Sequence, residues 1–336
     1  MDGKQRYIFL TLDSKESRFV YGGFDEIDNG RLVLIDRGRL INRLTRKIIR
    51  LYTERGYCAT IIKQLTQRIV EDQVIARTCD LSDEKLVFVV YARVYETLGR
   101  ALTDALRKAF PTAKLCVYFA DLQKRFTIDL DCYRRDFDCL FSFDKKQAEQ
   151  FDMEYLLEPF TYKPFKEMDD APIYDVTFVG RVKNDMRRYN DIMKVYEQCR
   201  DAGLKCDFHL VDVPRRLQKY PNEIEYNKFM GFEDIIRHVI QSHSVLEILQ
   251  TDEYSPTTRY TEACLYGRNL ITNCDGIRDG FYKKEDSIFL LDEDMHIDTR
   301  WIRDSHPVDF DRYRDLFSIE SFVKTIGEAV QRNHRA

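Results

Sequence analysis

Residues 256–274, PTTRYTEACLYGRNLITNC, carry the clearest chemical pattern in this 336-residue chain. Pro256 followed by two threonines is helix-start chemistry. Arg259 then falls in the first turn and Glu262 one turn later, so both face the helix's N-terminal mouth. Unpaired N–H groups and the helix dipole draw anions to such a mouth. Arg259 adds a cation suited to phosphate, and Glu262 a carboxylate able to accept from two vicinal hydroxyls. The combination predicts a pocket for a ribose diphosphate. The helix runs through Ala263 and Leu265 to a stop at Gly267, and a short apolar strand, residues 270–272, follows.

The other candidates follow strands. In open parallel sheets ligands collect beyond the carboxyl ends of the strands. In the second half of the chain that rule selects Gly180, Arg181 and Lys183, then Asp212, then residues 251–259. In the first half it selects Asp121 as a candidate general base, Arg93 as a contact to acceptor or sugar, and Asp13. Asp129-x-Asp131 and the run Asp292, Glu293, Asp294 are read without a metal, so no metal site is expected. His209 sits inside a strand and reads as packed, while His238 and His243 show no ligand spacing. No GxGxxG follows the first strand, and neither GxxxxGK[ST] nor GxSxG occurs, which weakens dinucleotide, P-loop and serine-hydrolase readings.

These residues must be positioned by alternating strands and helices. Residues 7–12 and 32–35 read as strands, and the unbroken apolar run at 86–92 as a central parallel strand. A helix over 95–109, a strand at 114–121 and a strand at 137–144 ending in a helix-capping Asp144 continue the cycle. Residues 161–174 break it with two prolines and an acidic cluster, which marks a linker. A second cycle follows: strands at 175–180, 206–211 and 245–249, and helices at 190–202 and 232–242. The expected organisation is α/β, with a first domain over 1–163, a second over 164–318, and a last helix in 319–336 that crosses back to the first.

Composition bounds the class. Hydrophobic content of 44% supports a real core, and charged content of 33% a well-solvated surface. A net charge of −4 and pI near 6.0 argue against a dedicated nucleic-acid binder. Residues 1–166 carry net +4 and the remainder −8. Nine scattered cysteines without a CxxC pair fit a reducing compartment better than a disulfide framework or a zinc site. With no signal-like or membrane-spanning run, the expected setting is a soluble protein of the cytoplasm.

The order TFVGR, long helix, FHLV, LEILQ, PTTRYTEA and NLITNC is similar to bacterial glycosyltransferases of GT-B architecture. More narrowly it resembles those of lipopolysaccharide-core and capsule synthesis. VYFAD at 117–121 and LFSFDKKQAEQF at 140–151 agree, and the resemblance spans about residues 86 to 285. It implies two Rossmann-like parallel-sheet domains facing across a cleft. A nucleotide-sugar donor would bind in the second domain and a saccharide or lipid-linked saccharide acceptor in the first. Carried onto this chain, Thr258 and Arg259 would hold the diphosphate and Glu262 the ribose hydroxyls. Gly180 would admit the donor to the backbone, and Arg181 or Lys183 would add positive charge. The implied transfer needs no cofactor and no metal, since cations and a helix N-terminus can meet the leaving group's charge. Two alternatives stay open: a nucleotide-sugar epimerase on the same scaffold, and a non-catalytic binding module.

Residues 38–56 form an amphipathic helix with Leu40, Leu44, Ile48 and Leu51 on one face and Arg39, Arg43, Arg46, Lys47 and Arg50 on the other. The plain reading packs the leucines on the sheet and solvates the cations. The alternative rests the basic stripe near 39–50 on anionic lipid, as a peripheral contact at the inner face of the membrane.

Overall fold

The computed structural model describes residues 5–36, 43–56, 60–81, 85–165, 171–182, 185–250, 252–279, 286–304, 306 and 308–333. The chain divides into two units, one of Met1–Thr161 with Phe317–Ala336, the other Tyr162–Leu316.

The first unit holds six parallel strands: β1 (Gln5–Leu12), β2 (Gly30–Ile35), β3 (Lys85–Tyr91), β4 (Lys114–Phe119), β5 (Cys139–Ser142) and β6 (Glu154–Tyr155), in the order β2-β1-β3-β4-β5-β6. β3 is central because its Leu-Val-Phe-Val-Val run can be buried on both faces, and all five residues are. Helix Ile319–Asn333 belongs to this unit. Its Phe322 lies edge-on to Phe9, Phe24 and Tyr118. Gly327 lets it approach, since a Cβ there would stand 2.4 Å from the Tyr7 hydroxyl.

Two expectations are corrected here. The single helix over 95–109 is two, Ala92–Leu98 and Arg100–Ala109, broken at Gly99 with φ +62°. A Cβ on Gly99 would lie 2.3 Å from Thr53 Oγ1 and 2.6 Å from Ile49 Cγ2, so backbone and neighbours both demand glycine. The basic helix, described over Arg43–Arg55, turns Ile49 and Thr53 inward and leaves Leu44 and Leu51 66% and 43% exposed. Arg39 and Leu40 lie outside the described residues.

The second unit repeats the plan with β7 (Tyr174–Arg181), β8 (Cys206–Val211), β9 (Glu225–Tyr226), β10 (Ser242–Glu247), β11 (Asn269–Thr272) and β12 (Ile288–Leu290), ordered β12-β11-β10-β7-β8-β9 and all parallel. The helix after β7 is Met186–Asp201, a turn longer than expected because Asp185 caps it, accepting from Arg188 N at 3.0 Å. Each unit is thus a Rossmann-like parallel sheet with crossover helices.

Candidate functional site

In the second unit the carboxyl edge of the sheet is organised by a carboxylate that the sequence reading passed over. Glu247 ends β10 and is buried. Its Oε1 accepts from Thr257 N and Thr257 Oγ1, both at 2.7 Å, and its Oε2 accepts from Thr272 Oγ1 at 2.7 Å. Thr257 is the N-cap of helix Thr258–Leu265, and its hydroxyl also accepts from Arg259 N at 3.3 Å. One carboxylate therefore fixes the helix start to the ends of β10 and β11. Burial pushes the Glu247 carboxyl up, and the threonine hydrogen bonds work against that rise.

Arg259 and Glu262 were expected to face the helix mouth. The structure closes them on each other as an ion pair between Arg259 Nη1 and Glu262 Oε2. The Glu262 side chain has no exposed surface, and that of Arg259 is 20% exposed. A buried carboxylate needs such a partner. The other oxygen, Glu262 Oε1, is buried without a hydrogen-bond partner among the described residues. Thr258, the first helical residue, is partly exposed beside them.

Gly180 occupies the carboxyl end of β7 in extended backbone, and the space its missing Cβ leaves is taken by the ring of Phe178, 2.9 Å away, and by Arg188, 3.7 Å away. Arg181 pairs with Asp212 at 3.7 Å, both well exposed, a surface contact of small energy. Lys183 lies outside the described residues. Arg188, absent from the sequence candidates, bridges two strand ends. Its Nε donates to Ile248 O at 2.8 Å and its Nη1 to Arg181 O at 2.7 Å.

In the first unit Asp121 and Arg93 come together beyond β4 and β3. Arg93 Nη2 donates to Asp121 Oδ2 at 2.8 Å, Arg125 pairs with Oδ1, and Leu122 N donates to Oδ1 at 3.2 Å. The Arg93 guanidinium also lies 4.5 Å from the centre of the Phe126 ring. Both carboxylate oxygens are thus held by guanidinium groups, an arrangement that positions arginines rather than offering a free base. Asp13 also has both oxygens engaged, by Arg18 alone, whose Nε and Nη2 each donate to one of them. The same edge carries Glu158, which accepts from the Tyr21 hydroxyl. Burial pushes its carboxyl up to about 7; the Tyr21 hydrogen bond opposes the rise, and the charges of Glu16 and Asp121 add to it. No local pattern marked Glu158, because its neighbours come from segments more than 30 residues away.

The acidic spacings are structural. Asp129 caps helix Leu130–Asp136, accepting from Asp131 N at 2.9 Å. Asp292 Oδ1 accepts from Asp294 N and His296 N in a turn. Two histidines that showed no common spacing, His209 and His238, meet at Asp207.

No protein-family model matches the chain, and no curated protein matches it. Among solved structures, a glycosyltransferase from Rickettsia africae ESF-5 superposes with a TM-score of 0.54 at 11% identity, over 98% of each chain. The catalytic domain of starch synthase IV from Arabidopsis thaliana, bound to ADP and acarbose, gives 0.48 at 10% identity over 84% of this chain and 80% of its own. An alpha-glucosyltransferase in complex with UDP-glucose and DNA containing an abasic site gives 0.46 at 13% identity, over 97% and 94%. At such identities the likeness is one of fold. With its two Rossmann-like parallel sheets, the chain has the fold of glycosyltransferases of the GT-B type.

Proposed function

We propose that the protein transfers a sugar from a nucleotide-sugar donor to a saccharide hydroxyl. The observation that carries this reading is the Arg259–Glu262 pair at the start of helix Thr258–Leu265, with Glu262 Oε1 buried and unpartnered. A donor diphosphate draws Arg259 toward itself and the helix N-terminus. Glu262 then exchanges its cation for the ribose hydroxyls, which also satisfy Oε1. Thr258 contributes at the same helix start, Gly180 would admit the donor to the backbone at the end of β7, and Arg181 or Lys183 would add positive charge. Arg259 and the helix dipole meet the charge that develops on the departing nucleoside diphosphate, in place of a metal ion.

The acceptor belongs to the first unit. Arg93, held by Asp121, binds acceptor oxygens, and Glu158 takes the proton from the attacking hydroxyl, since a carboxyl near 7 is matched to that task. Surface-polysaccharide assembly in the cytoplasm is the setting favoured by the sequence resemblance. The basic helix supports a membrane-surface contact: Leu44 and Leu51 lie two turns apart on its outer side, with Arg46, Lys47 and Arg50 exposed around them. No described helix is long and apolar enough to cross a membrane.

The test is release of nucleoside diphosphate from a panel of nucleotide sugars, with and without mono- and disaccharide acceptors. Release from one donor, accelerated by an acceptor and abolished in Glu158→Gln, is expected. Interconversion of free nucleotide sugars without release would make the protein an epimerase instead. Binding without either reaction would make it a non-catalytic module.

A further inference from the structure

Asp207 and His209 lie two residues apart on β8 and so point to the same face of the sheet. Helix Phe232–Ile240 packs on that face and brings His238 to the same point. Asp207 Oδ1 is 2.8 Å from His209 Nε2, and Asp207 Oδ2 is 2.6 Å from His238 Nδ1. The two rings are 4.7 Å apart, edge to face, and the three donor atoms lie within 4.8 Å of one another. Thr177 Oγ1 holds the carboxylate from behind, donating to Asp207 Oδ2 at 3.0 Å. A cavity of about 680 Å³ opens beside the cluster, with Glu223, Asp234 and Cys206 on its wall.

A simple ion pair accounts for one imidazole against one carboxylate. A second imidazole, brought by a separate helix onto the same carboxylate, makes a three-donor convergence that a pairwise contact does not require. Two imidazoles and a carboxylate, converging from a strand and a helix, are the donor set that a borderline divalent ion takes. We infer that Asp207, His209 and His238 form a binding site for a divalent transition-metal ion of the zinc class, with open coordination positions facing the cavity. Ligand atoms around tetrahedral zinc stand about 3.3 Å apart, given bonds of about 2.0–2.1 Å. The present 2.6 and 2.8 Å contacts therefore widen by roughly 0.7 and 0.5 Å, the larger shift falling on His238, near the end of its helix and 24% exposed.

The second sphere is half built. Thr177 orients Asp207, but His209 Nδ1 is buried with no hydrogen-bond partner among the described residues. A missing outer partner typically weakens a metal site by about 10- to 100-fold, so binding weaker by that factor than at a fully supported site is expected. The site lies toward the amino end of β8. Asp207 is four residues, about 13 Å, from the carboxyl end where Val211 lies. It is therefore separate from the proposed donor pocket and does not depend on that reading.

The test is titration of the chelator-treated full chain with Co²⁺ and then Zn²⁺, followed by calorimetry and by the visible cobalt spectrum. One equivalent should bind with nitrogen and oxygen ligands only. His238→Gln should weaken binding at least tenfold while its melting temperature without metal stays close to that of the unaltered chain. Asp207→Asn should do the same, and His296→Gln should change nothing. Undiminished binding in His238→Gln, a thiolate charge-transfer spectrum from the cysteines, or no saturable binding would each overturn the proposal.

Discussion

Replacing Glu158 by Gln should make the protein more stable at pH 8 and leave it nearly unchanged near pH 4.5. The carboxyl moves from an ordinary 4.5 to about 7 on folding, driven first by burial and then by Glu16 and Asp121. Each tenfold change in proton affinity is worth about 1.36 kcal/mol, so the difference amounts to roughly 3 kcal/mol. Because the folded-state value is raised, the folded protein binds the proton more tightly. Its stabilisation is full below about 4.5 and is lost as pH climbs through about 7. Glutamine stays neutral throughout and can still accept from the Tyr21 hydroxyl, so the variant escapes that loss. Part of the residue reaches solvent, which makes 3 kcal/mol an upper figure. At roughly 2–4 °C per kcal/mol, the two proteins should differ by up to about 6–12 °C in melting temperature at pH 8. Thermal unfolding of both across pH 4.5 to 8 reads this directly. Parallel pH profiles, or a variant weaker at every pH, would refute the argument and remove Glu158 as a carboxyl poised for proton transfer.

Four further outcomes follow from named contacts. Glu247→Ala strips three hydrogen bonds and leaves buried donors at the start of helix Thr258–Leu265; urea unfolding should show a loss of about 3–5 kcal/mol. Arg259→Met alone strands the buried Glu262 charge and should cost about 3–5 kcal/mol, whereas Arg259→Met with Glu262→Gln should recover most of it in the same assay. Gly99→Ala forces a Cβ against Thr53 and Ile49 at a backbone conformation reserved for glycine, and melting should show a loss of at least about 2 kcal/mol. Sedimentation with phosphatidylserine vesicles at low salt should capture the protein. Reversing Arg46, Lys47 and Arg50 to Glu should abolish capture, since each cation contributes about 1 kcal/mol.

Much of the framework was readable because parallel strands announce themselves. Residues 86–90 are an apolar run of strand length, and Gly267, at φ +65°, ends its helix where expected. The break at Gly99 was not readable. The apolar period continues across it, and the reason for glycine is Thr53 on another helix. The basic helix turns Ile49 and Thr53 toward Gly99, and the face that looked most apolar in sequence is the outer one. Within the candidate site, the helix start and the positions of Arg259 and Glu262 were legible because caps and turns are local. Their mutual pairing was not, since nothing in one strand of sequence says which carboxylate will be sealed from water. Glu247 left a trace, a lone acid in the apolar run LEIL, whose meaning depends on Thr257 and Thr272 arriving from elsewhere. Arg188, Glu158 and the meeting of His209 with His238 are products of strand order, which a local pattern does not encode.

The proposed transfer requires the start of helix Thr258–Leu265 to bind the diphosphate of a nucleotide sugar. Calorimetric titration with UDP, GDP, ADP, dTDP and CMP tests it most directly, on the unaltered chain and on the stability-matched Arg259→Met, Glu262→Gln variant. One-to-one binding of a single diphosphate by the former, and at least a hundredfold loss in the latter with both folded, is the expected result. Equal affinity in the two proteins, or no binding by the unaltered chain, would contradict it.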